Sequence, residues 1–245
     1  MKKSRQVLEI LFENEDLVIL NKPAGVLSIP DRFVPEKPNL VHQLEQKYEK
    51  AWIVHRLDKD TSGAICFALN AETHRDLSLQ FQERSVEKYY WAILDGLLSK
   101  PSGTIDLGIA PHPVTKGKMI GSRRGKKATT EYKVLETFKY FSLVEAEIKT
   151  GRTHQIRVHF ASLGHPLAVD ELYGNRAALF FSEIKRKNFN KGKNEEERPF
   201  FQRLTLHAQR IAFTNPADGE RIEVSAPLPK DFQALTRQLE KWLGK

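Results

Sequence analysis

The densest chemistry in the chain lies in VHRLDKDTSG, residues 54–63. Imidazole (His55), guanidinium (Arg56) and carboxylate (Asp58) fall close together there, and Thr61, Ser62 and Gly63 close the stretch. Asp58 has cations on both sides in sequence, Arg56 and Lys59. If the chain is extended at this point, Arg56 and Asp58 project to one side and His55 and Leu57 to the other. A guanidinium beside a carboxylate favours its ionised form. Such a carboxylate is wrong for a general acid and suited to a nucleophile or a base toward an electron-poor centre. An exposed ion pair in a turn accounts for the same residues with no chemistry at all.

A second basic cluster, KTGRTHQIRVH (residues 149–159), shifts that balance. A glycine turn leads into a helix, expected over Thr153–Ser162 with a capping residue at its start, and its first amides would offer an anion site. Arg152 stands near that start. Arg157 lies a turn further in, where a cation can reach a carboxylate presented by another loop. The run Lys88–Trp91 (KYYW) adds flat faces able to stack on a base, although core and edge-strand packing explains aromatics equally well. Basic groups interleaved with aromatics around one ionised carboxylate point to chemistry on a nucleobase.

Other chemistries fail on spacing. SRRGKKA at 122–128 looks like a phosphate loop, but Gly121 and Gly125 are too close together and no Ser or Thr comes directly after Lys126 and Lys127. No G-x-S-x-G elbow is present. Of eight histidines, the tightest helical pair, His154 and His159, would lie about 140° apart around a helix, which is unsuited to a shared metal. The single cysteine, Cys66, rules out an internal disulfide and suits a reducing compartment. Acidic residues interrupt the basic N-terminal segment, and no apolar run is long enough to span a bilayer, so a cytoplasmic protein is expected. A net charge of +8 favours polyanionic partners such as nucleic acid.

The elements that must position these groups are mostly strands. Val7–Phe12, Leu17–Asn21, Ser62–Leu69, Val86–Leu94, Ala128–Leu135, Phe141–Ile148, Leu204–Phe213 and Arg221–Val224 read as strands. Helices are expected over Asn39–Tyr48, from an N-cap at Asn70 to about Arg84 with Leu77 and Phe81 inward, and over residues 230–243. Strands in adjacent pairs predict an α+β fold with a mixed, mostly antiparallel sheet. The segment Glu183–Arg198, dense in mixed charge, reads as an exposed, mobile insertion.

These motifs, in this order, resemble an RluA-type pseudouridine synthase. The matching segments are NKPAG (21–25) with LSIP after it, HRLDKDTSG (55–63), VEKYYWA (86–92), GKKATTEY (125–132) and TGRTHQIRVH (150–159). GHP (164–166), YG (173–174), LHA (206–208) and APLP (226–229) follow, so the resemblance covers residues 7–230. It implies a pseudouridine synthase fold with flanking helices and a central cleft, in one catalytic domain over residues 1–245. About twenty residues precede NKPAG, which implies that the small helical RNA-binding domain of many relatives is absent.

The resemblance also implies roles. Asp58 matches the aspartate that attacks the uridine, Tyr90 (rather than Tyr89) the tyrosine that packs on the uracil, and Arg157 the arginine paired with that aspartate. Arg56 matches the arginine that fills the space left by the flipped base. His55, Arg152 and His154 are further expected RNA contacts. The expected activity is isomerisation of uridine to pseudouridine in ribosomal or transfer RNA, by a monomer with no cofactor and no metal. A non-catalytic RNA-binding or ribosome-assembly protein on the same scaffold, or a base-releasing glycosylase, are the competing readings. Two positions depart from the family pattern: Val169 precedes Asp170 where glycine is usual, and Asn215 stands where histidine is common.

Overall fold

The structure is a computed structural model that describes residues 8–31, 33–190 and 196–244. Its elements in chain order are β1 (Ile10–Glu13), β2 (Leu17–Lys22), α1 (Leu40–Leu44), β3 (Trp52–Ile53), β4 (Ser62–Ala68) and α2 (Ala71–Glu83). There follow β5 (Glu87–Asp95), β6 (Ser102–Asp106), β7 (Ile109–Pro111), β8 (Met119–Gly121), β9 (Thr129–Thr137), β10 (Phe141–Ile148), α3 (Gln155–Ser162) and α4 (Phe181–Lys185). Strands β11 (Leu206–Thr214) and β12 (Arg221–Ser225) and helix α5 (Lys230–Leu243) complete the described chain. The fold is α+β with a mostly antiparallel sheet, as the paired strand signals predict.

The chain forms two compact units, one from residues up to Lys88 together with Ala208–Pro227, the other from Tyr89–His207 together with Leu228 onward. It passes from one to the other within β5 and returns within β11.

In the first unit β2 pairs antiparallel with β1 and with β4, in a register that sets Leu17 opposite Ala68 and Lys22 opposite Gly63. β4 also neighbours β11, and β12 pairs with β11. Leu17, Ile19, Ala64 and Cys66 pack with Leu77 of α2 and with Ile211, Phe213 and Ile222. Asn70 caps α2 by accepting the Thr73 amide at 2.8 Å, and Arg84 ends it in the left-handed region (φ 64°). Gly63 (φ +117°) could carry no side chain, because a Cβ would meet the Ala208 carbonyl oxygen at 2.1 Å.

In the second unit β5, β10, β9 and β6 form an antiparallel sequence of neighbours, with Tyr90 opposite Ala146. Helix α5 buries Phe232, Leu235, Leu239 and Leu243 against Ile93, Phe138, Leu179 and Phe201. β7 and β8 form a separate two-stranded ribbon. The charged segment expected to be an exposed insertion is anchored at its start: α4 buries Ile184 completely, and Glu183 accepts Arg176 Nε at 2.9 Å. One apolar residue per turn suffices to seat so short a helix, and periodicity cannot register a single contact. Residues 191–195 of that segment lie outside the described residues.

Candidate active site

In the first unit the loop carrying Asp58 is pinned on both sides of the aspartate. Ser28 Oγ accepts the Leu57 amide at 3.2 Å and donates to the Leu57 carbonyl at 3.0 Å, with Ser28 and Leu57 both buried. The Lys59 carbonyl accepts Lys22 Nζ at 2.7 Å and the Gly25 amide at 2.9 Å. Thr61 N–H closes a turn back to the Asp58 carbonyl at 3.1 Å. Lys22 is fully buried and donates also to the Pro23 carbonyl. The motif NKPAG with the serine after it is thus the mount of the Asp58 loop, a use of Lys22 that the sequence, read as a turn signal, does not disclose. Ser28→Ala should leave the buried Leu57 amide and carbonyl unpartnered and cost about 2 kcal/mol in urea unfolding. A cost below about 0.5 kcal/mol would show that the loop holds itself.

Arg56 is exposed and Asp58 half-buried. His55, expected as an RNA contact, has its ring engaged within the protein. Its Nε2 accepts the Cys66 amide at 3.0 Å, and its ring stacks on Phe81 with centroids 4.8 Å apart. Burial, aided by the nearby Lys88 charge, pushes its pKa down to about 3 from the usual 6.5. A neutral acceptor facing a backbone N–H is a structural residue. Because the folded pKa is the lower one, the contribution to stability is whole above pH 6.5 and is lost as pH falls through the acid range. At pH 5 the loss should reach about 2 kcal/mol. Urea midpoints at pH 7.5 and 5 would read it, and His55→Gln, which keeps an acceptor without titrating, should flatten the difference. An unchanged slope in that variant would remove His55 as the cause.

In the second unit β5 separates its two tyrosines. Tyr90 is buried, on the same face as Ala92, whereas Tyr89 faces the other way and lines a shallow pocket with Glu131, Glu145 and Glu147.

Arg157 projects from α3 and is held in a bidentate pair with Asp170, Nε to Oδ2 at 2.7 Å and NH2 to Oδ1 at 2.9 Å. The Asp170 side chain is fully buried and also accepts the amides of Leu172 and Tyr173 at 2.9 and 3.1 Å. The guanidinium carbon lies 4.9 Å from the centroid of Tyr173. A carboxylate from another loop is expected for Arg157, but nothing local marks Asp170 as that partner, because the two residues sit on a helix and a loop with no shared period. Val169 fits beside Asp170. Among the described residues only Arg84, His154 and Arg186 take positive φ without being glycine, so no glycine is required there. Asn215 donates to Asp218 Oδ2 at 2.9 Å, in the turn between β11 and β12.

The start of α3 differs from the expected cap. The helix begins at Gln155 after His154, which sits in the left-handed region (φ 56°) and makes no side-chain cap. The Gln155 side chain reaches back instead, accepting the Arg152 amide at 3.0 Å and the Thr150 hydroxyl at 2.6 Å. Arg152 Nε donates to the Lys127 carbonyl at 3.1 Å. His154 Nδ1 is 2.7 Å from the Tyr173 hydroxyl, so His154 and Arg157 share Tyr173. His159 is buried, its ring nitrogens against Thr130 Oγ1 and the Leu107 carbonyl, and burial lowers its pKa. Among the described residues no group of three or more His, Cys, Asp or Glu is placed to hold a metal ion.

A family model described as RNA pseudouridylate synthase matches residues 16–162, a span that contains both basic motifs. The chain is 37% identical over 240 residues to a ribosomal large subunit pseudouridine synthase D of Nitrosomonas europaea, covering 95% of this chain and 65% of that protein. It is 36% identical over 242 residues to an uncharacterized RNA pseudouridine synthase, YlyB, of Bacillus subtilis, covering 96% and 73%. The chain therefore spans about two thirds to three quarters of the length of these relatives. The structure of human RNA pseudouridylate synthase domain containing 4 superposes with a TM-score of 0.72 at 29% identity, covering 95% of this chain and 93% of that one. On these grounds the chain belongs to the RNA pseudouridine synthases, an isomerase family, in their RluA-type branch.

Proposed function

We propose that this chain converts specific uridines of large-subunit ribosomal RNA to pseudouridine, with Asp58 as the attacking group. The observation that carries the reading is the loop of Asp58, whose backbone is pinned at Leu57 and at Lys59 by separate segments. A nucleophile needs a fixed backbone and a free choice of charge. The relatives named for the large ribosomal subunit favour ribosomal over transfer RNA as substrate.

In the reaction the N1–C1′ bond breaks, the uracil turns, C5 joins C1′, C5 gives up its proton and N1 gains one, so that atoms balance with no added reactant. Arg157, held in its plane by Asp170, supplies positive charge to the reaction, and Tyr90 packs on the uracil. Arg56 and Arg152 contact the RNA, Arg56 filling the gap left by the flipped base, whose extrusion costs a few kcal/mol. The protein acts as a cytoplasmic monomer; among the described residues no helix is long and apolar enough to cross a membrane.

The test is to incubate the purified protein with large-subunit ribosomal RNA and with bulk transfer RNA and to map pseudouridine by sequencing. New sites in ribosomal RNA are expected. Sites confined to transfer RNA would redirect the substrate assignment. Released uracil would indicate a glycosylase, and binding with no modification of either RNA would indicate an RNA-binding factor.

A further inference from the structure

Tyr173 stands where three parts of the second unit meet. Its hydroxyl oxygen accepts the Met119 amide N–H at 2.7 Å and is also hydrogen-bonded to His154 Nδ1 at 2.7 Å. One neighbour of its ring is the Arg157 guanidinium, 4.9 Å from the centroid, and another is Lys118 Nζ at 5.5 Å. Met119 and Lys118 belong to the β7–β8 ribbon, His154 to the left-handed entry of α3, and Arg157 to α3 itself.

The ribbon and the strand entry after it form the most one-sided charge in the chain. Lys116, Lys118, Arg123, Arg124, Lys126 and Lys127 fall between Asp106 and Glu131 with no carboxylate among them, and all but the half-buried Lys118 are exposed. A phosphate backbone is the natural partner for such a stripe. The ribbon adds no strand to the larger sheet. Its apolar seat is a small cluster of Ile109, Met119, Ala128, Val158 and Tyr173. Packing alone would explain an aromatic ring there, and phenylalanine would do as well. It does not explain a hydroxyl shared between the ribbon's backbone and the strained entry of α3. Nor does it explain a guanidinium fixed in its plane by Asp170 and supported on its face by the same ring.

We propose that Tyr173 is a positioning residue that couples RNA held along the basic ribbon to the placement of Arg157. The proposal rests on the reading of Arg157 as part of the pseudouridine-forming site. Phosphates settling on the ribbon fix Lys118 and Met119. The Met119 amide fixes the tyrosine hydroxyl, and the ring then holds the guanidinium in one orientation. Coupling of this kind runs both ways, so a change at Arg157 must be felt in the ribbon.

The hydroxyl and the ring can be removed separately. With an RNA that the parent modifies, Tyr173→Phe should raise KM about tenfold and change kcat less than threefold. Tyr173→Leu should also lower kcat at least tenfold. Amide hydrogen exchange supplies a readout independent of activity. Tyr173→Phe should speed exchange of the amides of residues 116–120, and Arg157→Lys should do the same from the other end. A purely structural tyrosine would lower kcat only in proportion to the folded fraction, without the split between the two variants, and that outcome overturns the proposal. Unchanged ribbon exchange and unchanged RNA affinity in Tyr173→Phe overturn it as well. If the parent forms no pseudouridine in any RNA, the reading of the site fails, while exchange and filter binding still decide whether Tyr173 ties the ribbon to Arg157.

Discussion

Asp58→Asn is expected to abolish pseudouridine formation, with a loss of at least about a thousandfold, while RNA affinity changes by no more than a few-fold. The amide matches the carboxylate in shape but cannot attack as an anion. Among the contacts that fix the loop are the Ser28 pair with Leu57, the Lys22 and Gly25 donors to the Lys59 carbonyl, and the turn from Thr61. All of them are made through backbone atoms of the loop and survive the substitution. A loss of activity in Asp58→Asn therefore cannot be assigned to a displaced loop, provided that the melting temperature stays within a few degrees. Pseudouridine mapped at the same sites and at the same rate by parent and variant would remove Asp58 from the mechanism.

Asp170→Ala is the substitution expected to cost most in stability. The Arg157 side chain is only 11% exposed and that of Asp170 is not exposed at all. Removing the carboxylate takes the bidentate acceptor from a largely buried guanidinium and deprives the Leu172 and Tyr173 amides of theirs. Breaking one side of a buried pair costs about 3 to 5 kcal/mol, and the orphaned amides act in the same direction. Asp170→Asn keeps an acceptor for the amides and should cost roughly half as much. Urea unfolding of the three proteins at neutral pH measures both differences. A cost below about 1 kcal/mol for the alanine variant would mean that Arg157 finds another anion or reaches water. Activity should fall further than the unfolded fraction explains, because Arg157 loses its fixed plane.

What could be read beforehand follows the range of the interactions. Helix α2 was legible because its signals are local: an Asn cap, inward Leu77 and Phe81, and a stop at Arg84. The hairpin partners β9 and β10 were legible for the same reason. The short strands β6, β7 and β8 were not, since glycine and proline interrupt them and no alternation lasts long enough to count. The start of α3 was misplaced because the side chain that completes its entry comes from inside the helix, at Gln155, and a cap was expected in front of it. At the site, residue types were legible and their supports were not. Lys22 reads as part of a turn, and only the fold shows its ammonium group buried against the Lys59 carbonyl. His55 reads as polar and available, and only packing shows its ring stacked on Phe81 and facing an amide. Asp170 carries no local signal of a partner on α3.

The division of the chain has a consequence for how the protein comes to exist during synthesis. Residues up to Lys88 emerge first, yet their apolar cluster needs Ile211, Phe213, Ile222 and Ala226. The other unit likewise waits for Phe232, Leu235 and Leu239 of α5. Contacts between residues so far apart in sequence close late and slowly. The Asp58 loop and its mount at residues 22–28 are therefore translated early, but the apolar cluster of their unit closes only after Ile222 and Ala226 have been made.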